Sequence, residues 1–123
     1  MIKMSLAKIL IVIGLFVSSL TASAQYGKLL DLDGANGKYA YGSLLLEGTD
    51  MYGMTQLGGA NNKGVLFKIK PDGTGYNNLL DFDGLNNGAF PKGALISDGT
   101  YLYGMTQQGG DDNKGVVFKI NFQ

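Results

Sequence analysis

The sequence of 123 residues contains no cysteine, no histidine and no arginine. Without cysteine there are no disulfides and no thiolate zinc sites, and without histidine there is no Ser-His-Asp or Cys-His nucleophile system. Without arginine there is no planar fork for bidentate binding of phosphate or carboxylate. In a chain of this length, which allows one small domain, these absences predict a protein that is not an enzyme and that holds no cofactor and no metal.

Residues 1–24 have the three parts of an export signal. Lys3 and Lys8 form a basic start, residues 9–17 are continuously apolar, and the segment ends in Ala-Ser-Ala, which is typical of a signal-peptidase site. A membrane anchor would need about 20 apolar residues, roughly twice the length of this run. We therefore expect a cleaved signal helix, no stable membrane span, and a protein that is secreted, periplasmic or at the cell surface.

Cleavage after Ala24 would leave residues 25–123, which contain eight lysines and ten acidic residues. The charges are scattered, and no basic stripe is present. A nucleic-acid partner would require such a stripe, so the sequence predicts none. The same balance argues against a strong attraction to an anionic membrane.

Glycine and an internal repeat dominate residues 25–123. The chain has 20 glycines, and residues 42–70 match residues 93–121 at 18 of 29 positions. A shorter match precedes each unit, LLDLDG at residues 29–34 and LLDFDG at residues 79–84. Repetition with a period near 50 residues indicates a stack of similar structural units.

Each repeat predicts short β-strands joined by glycine-rich turns, because apolar residues alternate with a period of two and no segment has helical periodicity. Together with an N-terminal strand, the two units predict eight strands in two four-stranded antiparallel blade-like sheets, an all-β fold. The predicted strands cover residues 26–32, 43–47, 51–56, 65–70, 76–82, 94–97, 102–107 and 116–120.

Three segments carry a resemblance to a known family. They are LYGMTQQGG at residues 102–110, GVVFKIN at residues 115–121 and PDGTGYNNLLDFDG at residues 71–84. Together they resemble the GloVer-type tandem repeat of secreted bacterial proteins that use a variable surface anchor. The resemblance covers residues 26–121 and implies an exported protein built of kelch-like, propeller-type repeats, with no catalytic residues. The family commonly joins many repeats, whereas two are seen in this sequence.

Two blade-like sheets cannot close a propeller ring, which has about four to eight blades. Three arrangements therefore stay open. Two to four chains could form one ring as a homo-oligomer, the two sheets could pack face to face as a small sandwich, or the sequence could be a fragment of a longer protein.

The first candidate site is the pair of acidic turns at residues 31–37 and 81–87. Their Asp and Asn oxygens suit Ca²⁺, but the first glycine comes fourth, whereas it comes sixth in an EF-hand loop. Asp31 and Asp33 alternate onto one face and could also be compared with the paired carboxylates of a glycosidase. Ordinary Asp-Gly turn chemistry is the preferred interpretation of both features.

A second candidate is the repeated trio of Tyr, Met and Gln, for which packing between sheets is preferred over sugar binding. Its members are Tyr52, Met54 and Gln56, and Tyr103, Met105 and Gln107. A third candidate is the repeated polar loop, which would lie on one rim of a propeller. The residues predicted to bind a ligand there are Asn62, Lys63, Asn113 and Lys114, together with Asp50 and Tyr101.

These features lead to the expectation of an exported, non-enzymatic binding or assembly module. Its expected partner is a glycan or a surface protein, because the polar loops are repeated and no catalytic set accompanies them. The alternative is a structural fragment of a longer GloVer-type surface protein with no ligand of its own.

Overall fold

The computed structural model describes residues 20–123. The predicted signal segment, residues 1–24, therefore lies almost entirely outside the described residues. Within the described part, no helix is long and apolar enough to cross a membrane.

Residues 20–123 form seven β-strands and no helix, which confirms the all-β prediction. The strands are Leu45–Glu47 (β1), Asp50–Thr55 (β2), Val65–Ile69 (β3), Asn77–Asp81 (β4), Ile96–Ser97 (β5), Tyr101–Met105 (β6) and Val117–Asn121 (β7).

The first sheet has four antiparallel strands in the order β1-β2-β3-β4, as predicted for one blade. A tight turn at Gly48 joins β1 to β2, because glycine accepts a positive φ at little cost, and a longer loop at residues 56–64 joins β2 to β3. In the turn between β3 and β4, the amide of Lys70 donates to the carbonyl of Thr74 at 2.9 Å, and Asp72 accepts from both the amide and the hydroxyl of Thr74. These contacts fix the register that pairs β3 with β4.

The second sheet has three strands, in the order β5-β6-β7. The prediction of a fourth strand from residues 26–32 is wrong for the single chain, since this segment has no strand pairing. The segment forms no strand because of where it lies. Leu30 packs against a face of the first sheet, where no strand edge offers backbone partners.

The two faces of each sheet follow from the strand register, because residues opposite one another across a pair share a face. Met51, Gly53, Phe67 and Ile69 lie on one face of the first sheet, which we call its front face. Tyr52, Met54, Leu66 and Lys68 lie on the other, its back face. In the second sheet, the same repeat positions give a front face of Leu102, Gly104, Phe118 and Ile120 and a back face of Tyr103, Met105, Val117 and Lys119.

The main core lies where the front face of the second sheet packs on the back face of the first. Tyr52, Met54 and Leu66 are buried there with Leu102 of the second sheet. Aromatic edge contacts cross the boundary, with ring centroids 5.5 Å apart for Phe82 and Phe118. The interpretation of Tyr52 and Met54 as packing residues between sheets is thus confirmed.

The two remaining faces are more open. On the front face of the first sheet, a smaller cluster of Val65, Phe67 and Ile69 is covered in part by Leu30 and Tyr76. The back face of the second sheet carries no buried cluster among residues 20–123, and Met105 and Val117 are exposed there. Equivalent positions of the two repeats therefore have different surroundings.

Candidate functional site

The six residues predicted to bind a ligand fall at opposite ends of the strands. Asn62 and Lys63 lie in the loop after β2, and Asn113 and Lys114 lie in the equivalent loop after β6. Asp50 and Tyr101 begin those same strands, at the opposite end. A strand of six residues spans about 17 Å, so the six residues form two separate surfaces.

Asn62 and Asn113 hold their own loops together. Both have a φ of 53°, in the left-handed region that asparagine tolerates better than most residues. The side-chain oxygen of Asn62 accepts from the amide of Gly58 at 3.0 Å, and that of Asn113 accepts from the amide of Gly109 at 2.9 Å. The side chains of Asn62 and Asn113 therefore stabilise the conformation of their own loops.

Lys63 joins the first repeat to the second. Its ammonium group donates to the carbonyl of Asp83 at 3.2 Å, and its own carbonyl accepts from the amide of Phe90 at 2.9 Å. The side chain also crosses closely over Gly84, where a Cβ would come within 2.6 Å of the lysine nitrogen. Lys114 occupies the same repeat position but is exposed and makes none of these contacts within residues 20–123.

A polar groove of about 440 Å³ lies between the two loops and brings together two of the predicted residues, Lys63 and Asn113. Phe90, Gln108 and Asp111 also line it. The groove thus combines one aromatic ring with a lysine, amides and a carboxylate, groups that suit hydrogen bonding to a polar ligand.

At the other end of the strands, each sheet contains one lysine that contacts the residue at the start of its second strand. The ammonium group of Lys68 lies 3.8 Å from the carboxylate of Asp50. In the second sheet, the ammonium group of Lys119 lies 4.5 Å from the centre of the Tyr101 ring, a cation–π distance. Asp50 and Tyr101, which are equivalent by repeat, therefore each contact the equivalent lysine.

Asp98 has the densest set of hydrogen bonds at this end. Its carboxylate accepts from the amides of Thr100 and Tyr101 at 2.9 and 2.7 Å and from the Tyr103 hydroxyl at 2.6 Å. The Tyr103 hydroxyl is the largest cause, followed by the two amides, of a pKa lowered to about 2. The sequence predicts the Asp98-Gly99 turn, but the contact with Tyr103 depends on the pairing of β5 with β6.

Replacing Tyr103 with Phe is expected to raise the pKa of Asp98 toward its ordinary value, because the hydroxyl donor is lost while both amides stay. In the native chain the folded-state pKa of Asp98 lies below the unfolded value. Its stabilising contribution is therefore complete above the ordinary value and is lost as the pH falls toward 2. An NMR titration of the Asp98 carboxyl carbon measures the change. The Asp72 pKa serves as the internal control, and a shift in both residues would contradict the assignment.

Asp33 and Asp83 use their carboxylates within the acidic turns, whereas Asp31 pairs with Lys28 at 2.8 Å and Asp81 accepts from the amide of Ala60 at 2.9 Å. Asp83 accepts from the amides of Asn86 and Asn87 at 2.9 and 3.1 Å, and Asp33 accepts from the amide of Asn36 at 3.0 Å. Asn86 also donates through its side chain to Asp83, which is the largest cause of a lowered Asp83 pKa. The preferred interpretation as turn chemistry agrees with these bonds. In residues 20–123 no group of three or more acidic side chains could hold a metal ion.

A second groove, of about 410 Å³, lies over the front face of the first sheet. Its floor includes Met51, Gly53 and Phe67, and the extended segment at residues 26–32 forms part of its wall. The lining is mostly apolar, so this groove is suited to a packing partner. Sequence reasoning did not single it out, because its exposure depends on which face of which sheet is covered.

Comparison with known proteins gives one family. The model of the Gloeobacter/Verrucomicrobia repeat matches residues 13–123, nearly the whole chain. No curated protein and no solved structure matches the sequence. The family match supports the resemblance to the GloVer-type repeat drawn from the sequence.

Proposed function

Because the chain belongs to the Gloeobacter/Verrucomicrobia repeat family, we propose that it is an exported, non-enzymatic module that assembles with other blade-like sheets through its two open faces. One observation carries the proposal. The front face of the second sheet packs on the back face of the first, and the two faces left open are another front face and another back face. The internal contact is thus a pattern that a further sheet could repeat at either side.

The open back face of the second sheet supports this proposal. Met105 is 62% exposed and Val117 is 78% exposed, whereas the equivalent Met54 and Leu66 in the first sheet are 6% and 0% exposed. Met105 and Val117 are opposite one another in the register of β6 and β7, and a contiguous exposed apolar patch marks an interaction surface. Both sheets thus carry apolar side chains at these positions, and they are buried only in the first sheet.

The front face of the first sheet, where Leu30 and Tyr76 cover the buried cluster only in part, also supports it. Leu44 is 55% exposed, whereas its equivalent Leu95 is 4% exposed against the first sheet. The apolar groove over Met51 and Phe67 has the lining that the back face of another sheet would fill. A front face and a back face are complementary rather than identical, so their contact is head-to-tail.

Head-to-tail contacts close into a ring when the rotation between units allows it. A propeller of about four to eight blades would require two to four copies of this chain, because each copy supplies two sheets. The alternative occupants of the open faces are further repeats of a longer surface protein, in which case this segment has a structural role and no ligand of its own.

Replacing Val117 with Lys is expected to reduce the mass of the protein in solution to that of one chain. The substitution places a charge on the proposed contact but leaves the single-chain fold intact, because Val117 is exposed there. Light scattering of the exported chain, whose first residue is identified by intact mass, measures this. We expect two to four copies for the native sequence.

The matched control is Leu85→Lys, since Leu85 is also exposed but lies in a loop away from both faces. It should keep the native mass. A native protein that is monomeric at all concentrations would contradict the assembly, as would a Val117 variant that remains fully assembled.

A second candidate function is glycan binding at the polar groove between the loops. The observation that favours it is that Lys63, Asn113 and Phe90 line one groove, because an aromatic ring beside hydrogen-bonding groups suits a sugar. A glycan array probed with the native protein and with Gln108→Ala tests it, since Gln108 lines the groove and its side chain is exposed. Binding that Gln108→Ala leaves unchanged, or no binding at all, would argue against this function.

A further inference from the structure

We propose that residues 27–31 of one copy of the chain form the fourth strand of the second sheet of another copy. This inference rests on the proposed assembly and names the segment that makes it. In residues 20–123, β7 pairs only with β6, so one edge of β7 has free amide and carbonyl groups. Its repeat equivalent, β3, pairs with β2 on one side and with β4 on the other.

The sequence of residues 27–31 matches the strand that fills this place in the first sheet. The last three residues of β4, Leu79 to Asp81, begin the segment LLDFDG. The equivalent segment LLDLDG follows Gly27 and Lys28. The register between β3 and β4 pairs Leu66 with Leu80 and Lys68 with Asn77. Carried over by the repeat offsets, it pairs Val117 with Leu30 and Lys119 with Gly27 of the second copy.

The segment already lies where such a strand would be needed. Leu30 packs against the cluster on the front face of its own first sheet, and the backbone of Leu29 runs so close to Gly73 that a Cβ there would be 2.9 Å from the Leu29 oxygen. β4 has the same relation to the second sheet, because Leu79 and Leu80 pack on the core that includes its front face. Residues 27–31 thus lie on the front face of the first sheet where β4 lies relative to the second sheet. In the proposed assembly, the other strands of their sheet come from another copy.

The loop contacts between the repeats give an independent argument. Four hydrogen bonds join the first loop to the chain after β4, and three of them involve groups that are also present in the second repeat. These three run from the Phe82 amide to the Gly64 carbonyl at 3.0 Å, from the Phe90 amide to the Lys63 carbonyl at 2.9 Å, and from the Lys63 ammonium to the Asp83 carbonyl at 3.2 Å.

Each of these bonds has an unused counterpart. By the repeat offsets, the Leu32 amide would donate to the Gly115 carbonyl and the Tyr39 amide to the Lys114 carbonyl. The Lys114 ammonium would donate to the Asp33 carbonyl. None of these counterpart bonds forms within residues 20–123. A second copy docked by its residues 27–31 would complete all three, which also gives a role to Lys114. A fourth bond, from the Asn61 side-chain amide to the Phe82 carbonyl at 3.3 Å, has no counterpart. The equivalent residue is Asp112, whose carboxylate cannot donate.

The start of the repeats adds a close backbone approach. A Cβ on Gly42 would meet the carbonyl oxygen of Gly93 at 2.2 Å, whereas a Cβ on Gly93 would have nothing within 4 Å. In the proposed assembly, Gly93 meets Gly42 of the next copy in the same way. Gly93 is therefore open in the single chain and closed in the assembled one.

The test uses two singly substituted chains, Gly27→Cys and Lys119→Cys, expressed together with different tags. The native sequence has no cysteine, so any disulfide joins the introduced residues. Both positions are exposed in the single chain, so the variants should fold. After mild oxidation we expect most of the assembled protein to carry a disulfide between the two differently tagged chains.

The matched control replaces Lys119→Cys with Ile96→Cys. Ile96 is 67% exposed but lies in β5, at the opposite edge of the second sheet, so no disulfide with Gly27→Cys should form. A second variant without cysteine, Gly93→Ala, should keep the circular dichroism spectrum of the native protein and lose its assembled mass.

The outcomes separate the two proposals. An assembled native protein with no Gly27–Lys119 disulfide, or with an equal yield in the Ile96 control, would overturn the strand exchange and leave the assembly in place. An assembled Gly93→Ala variant would contradict the proposed contact of Gly93 with Gly42 of the next copy, and with it the packing of one sheet face on the other. A monomeric native protein would overturn both.

Discussion

Gly58→Ala is expected to lower the free energy of unfolding by about 3 kcal/mol or more, combining about 1–2 kcal/mol for a left-handed backbone with the cost of overpacking. Gly58 has a φ of 84°, and a Cβ there would lie 2.6 Å from the carbonyl oxygen of Gly34 and 2.7 Å from the Cα of Gly37. Both neighbours are backbone atoms of a turn closed by its own hydrogen bonds, so neither can move without breaking them. Urea denaturation followed by circular dichroism measures the loss.

The control for this prediction is Gly48→Ala in the turn between β1 and β2. Gly48 has a φ of 62°, but a Cβ there would have nothing within 4 Å, so only the backbone term of about 1–2 kcal/mol applies. Gly109→Ala repeats the test in the second unit, where a Cβ would meet the carbonyl oxygen of Gly84 at 2.2 Å. Equal losses for Gly48 and Gly58 would show that the close approach of the two backbones contributes nothing.

The local part of this fold could be predicted from the sequence because it depends on neighbouring residues. A period of two over Val65–Ile69 is sufficient to identify β3, although the structure buries Leu66 on one face as well as Val65, Phe67 and Ile69 on the other. The Pro-Asp-Gly segment likewise marks the turn before β4. For the same reason, the sequence alone predicts the all-β structure and the two repeated units.

The pairing of residues 26–32 could not be predicted in this way. Strand propensity reflects packing against neighbours, and the edge that would receive this segment is not adjacent to it in the chain. The sequence match with β4 predicts a strand, but the strand forms only where a partner edge is present. The same match therefore gave a wrong result for one chain and is the basis of the proposal for two.

The surroundings of the candidate binding residues depend partly on contacts that lie outside any local pattern. The sequence predicts Asn62 and Asn113 as binding groups, and in the structure their side-chain oxygens accept hydrogen bonds from amides of their own loops. A bond from a side chain to its own loop is a common use of asparagine in turns. The contact of Lys63 with Asp83 joins residues 20 positions apart and requires the placement of the next repeat. No local pattern contains that information.

Phe82→Ala is expected to lower the free energy of unfolding by about 3–5 kcal/mol, the usual range for removing a buried phenylalanine. Phe82 is completely buried between the two sheets and makes an edge contact with Phe118. The cavity would lie at the contact between the repeats, so both sheets should lose stability together in one urea transition. Two separate transitions would contradict the idea that this core couples the sheets.

The matched control is Leu32→Ala, because Leu32 has the repeat position of Phe82 but is 37% exposed in the single chain. At protein concentrations where the chain is monomeric, its loss should be well below that of Phe82→Ala, since little apolar area is uncovered. In the assembled protein, Leu32 takes the place that Phe82 has between the repeats. Leu32→Ala should then weaken assembly, measured as a higher concentration at the midpoint of dissociation. The same repeat position would thus stabilise the fold in one unit and the contact between copies in the other.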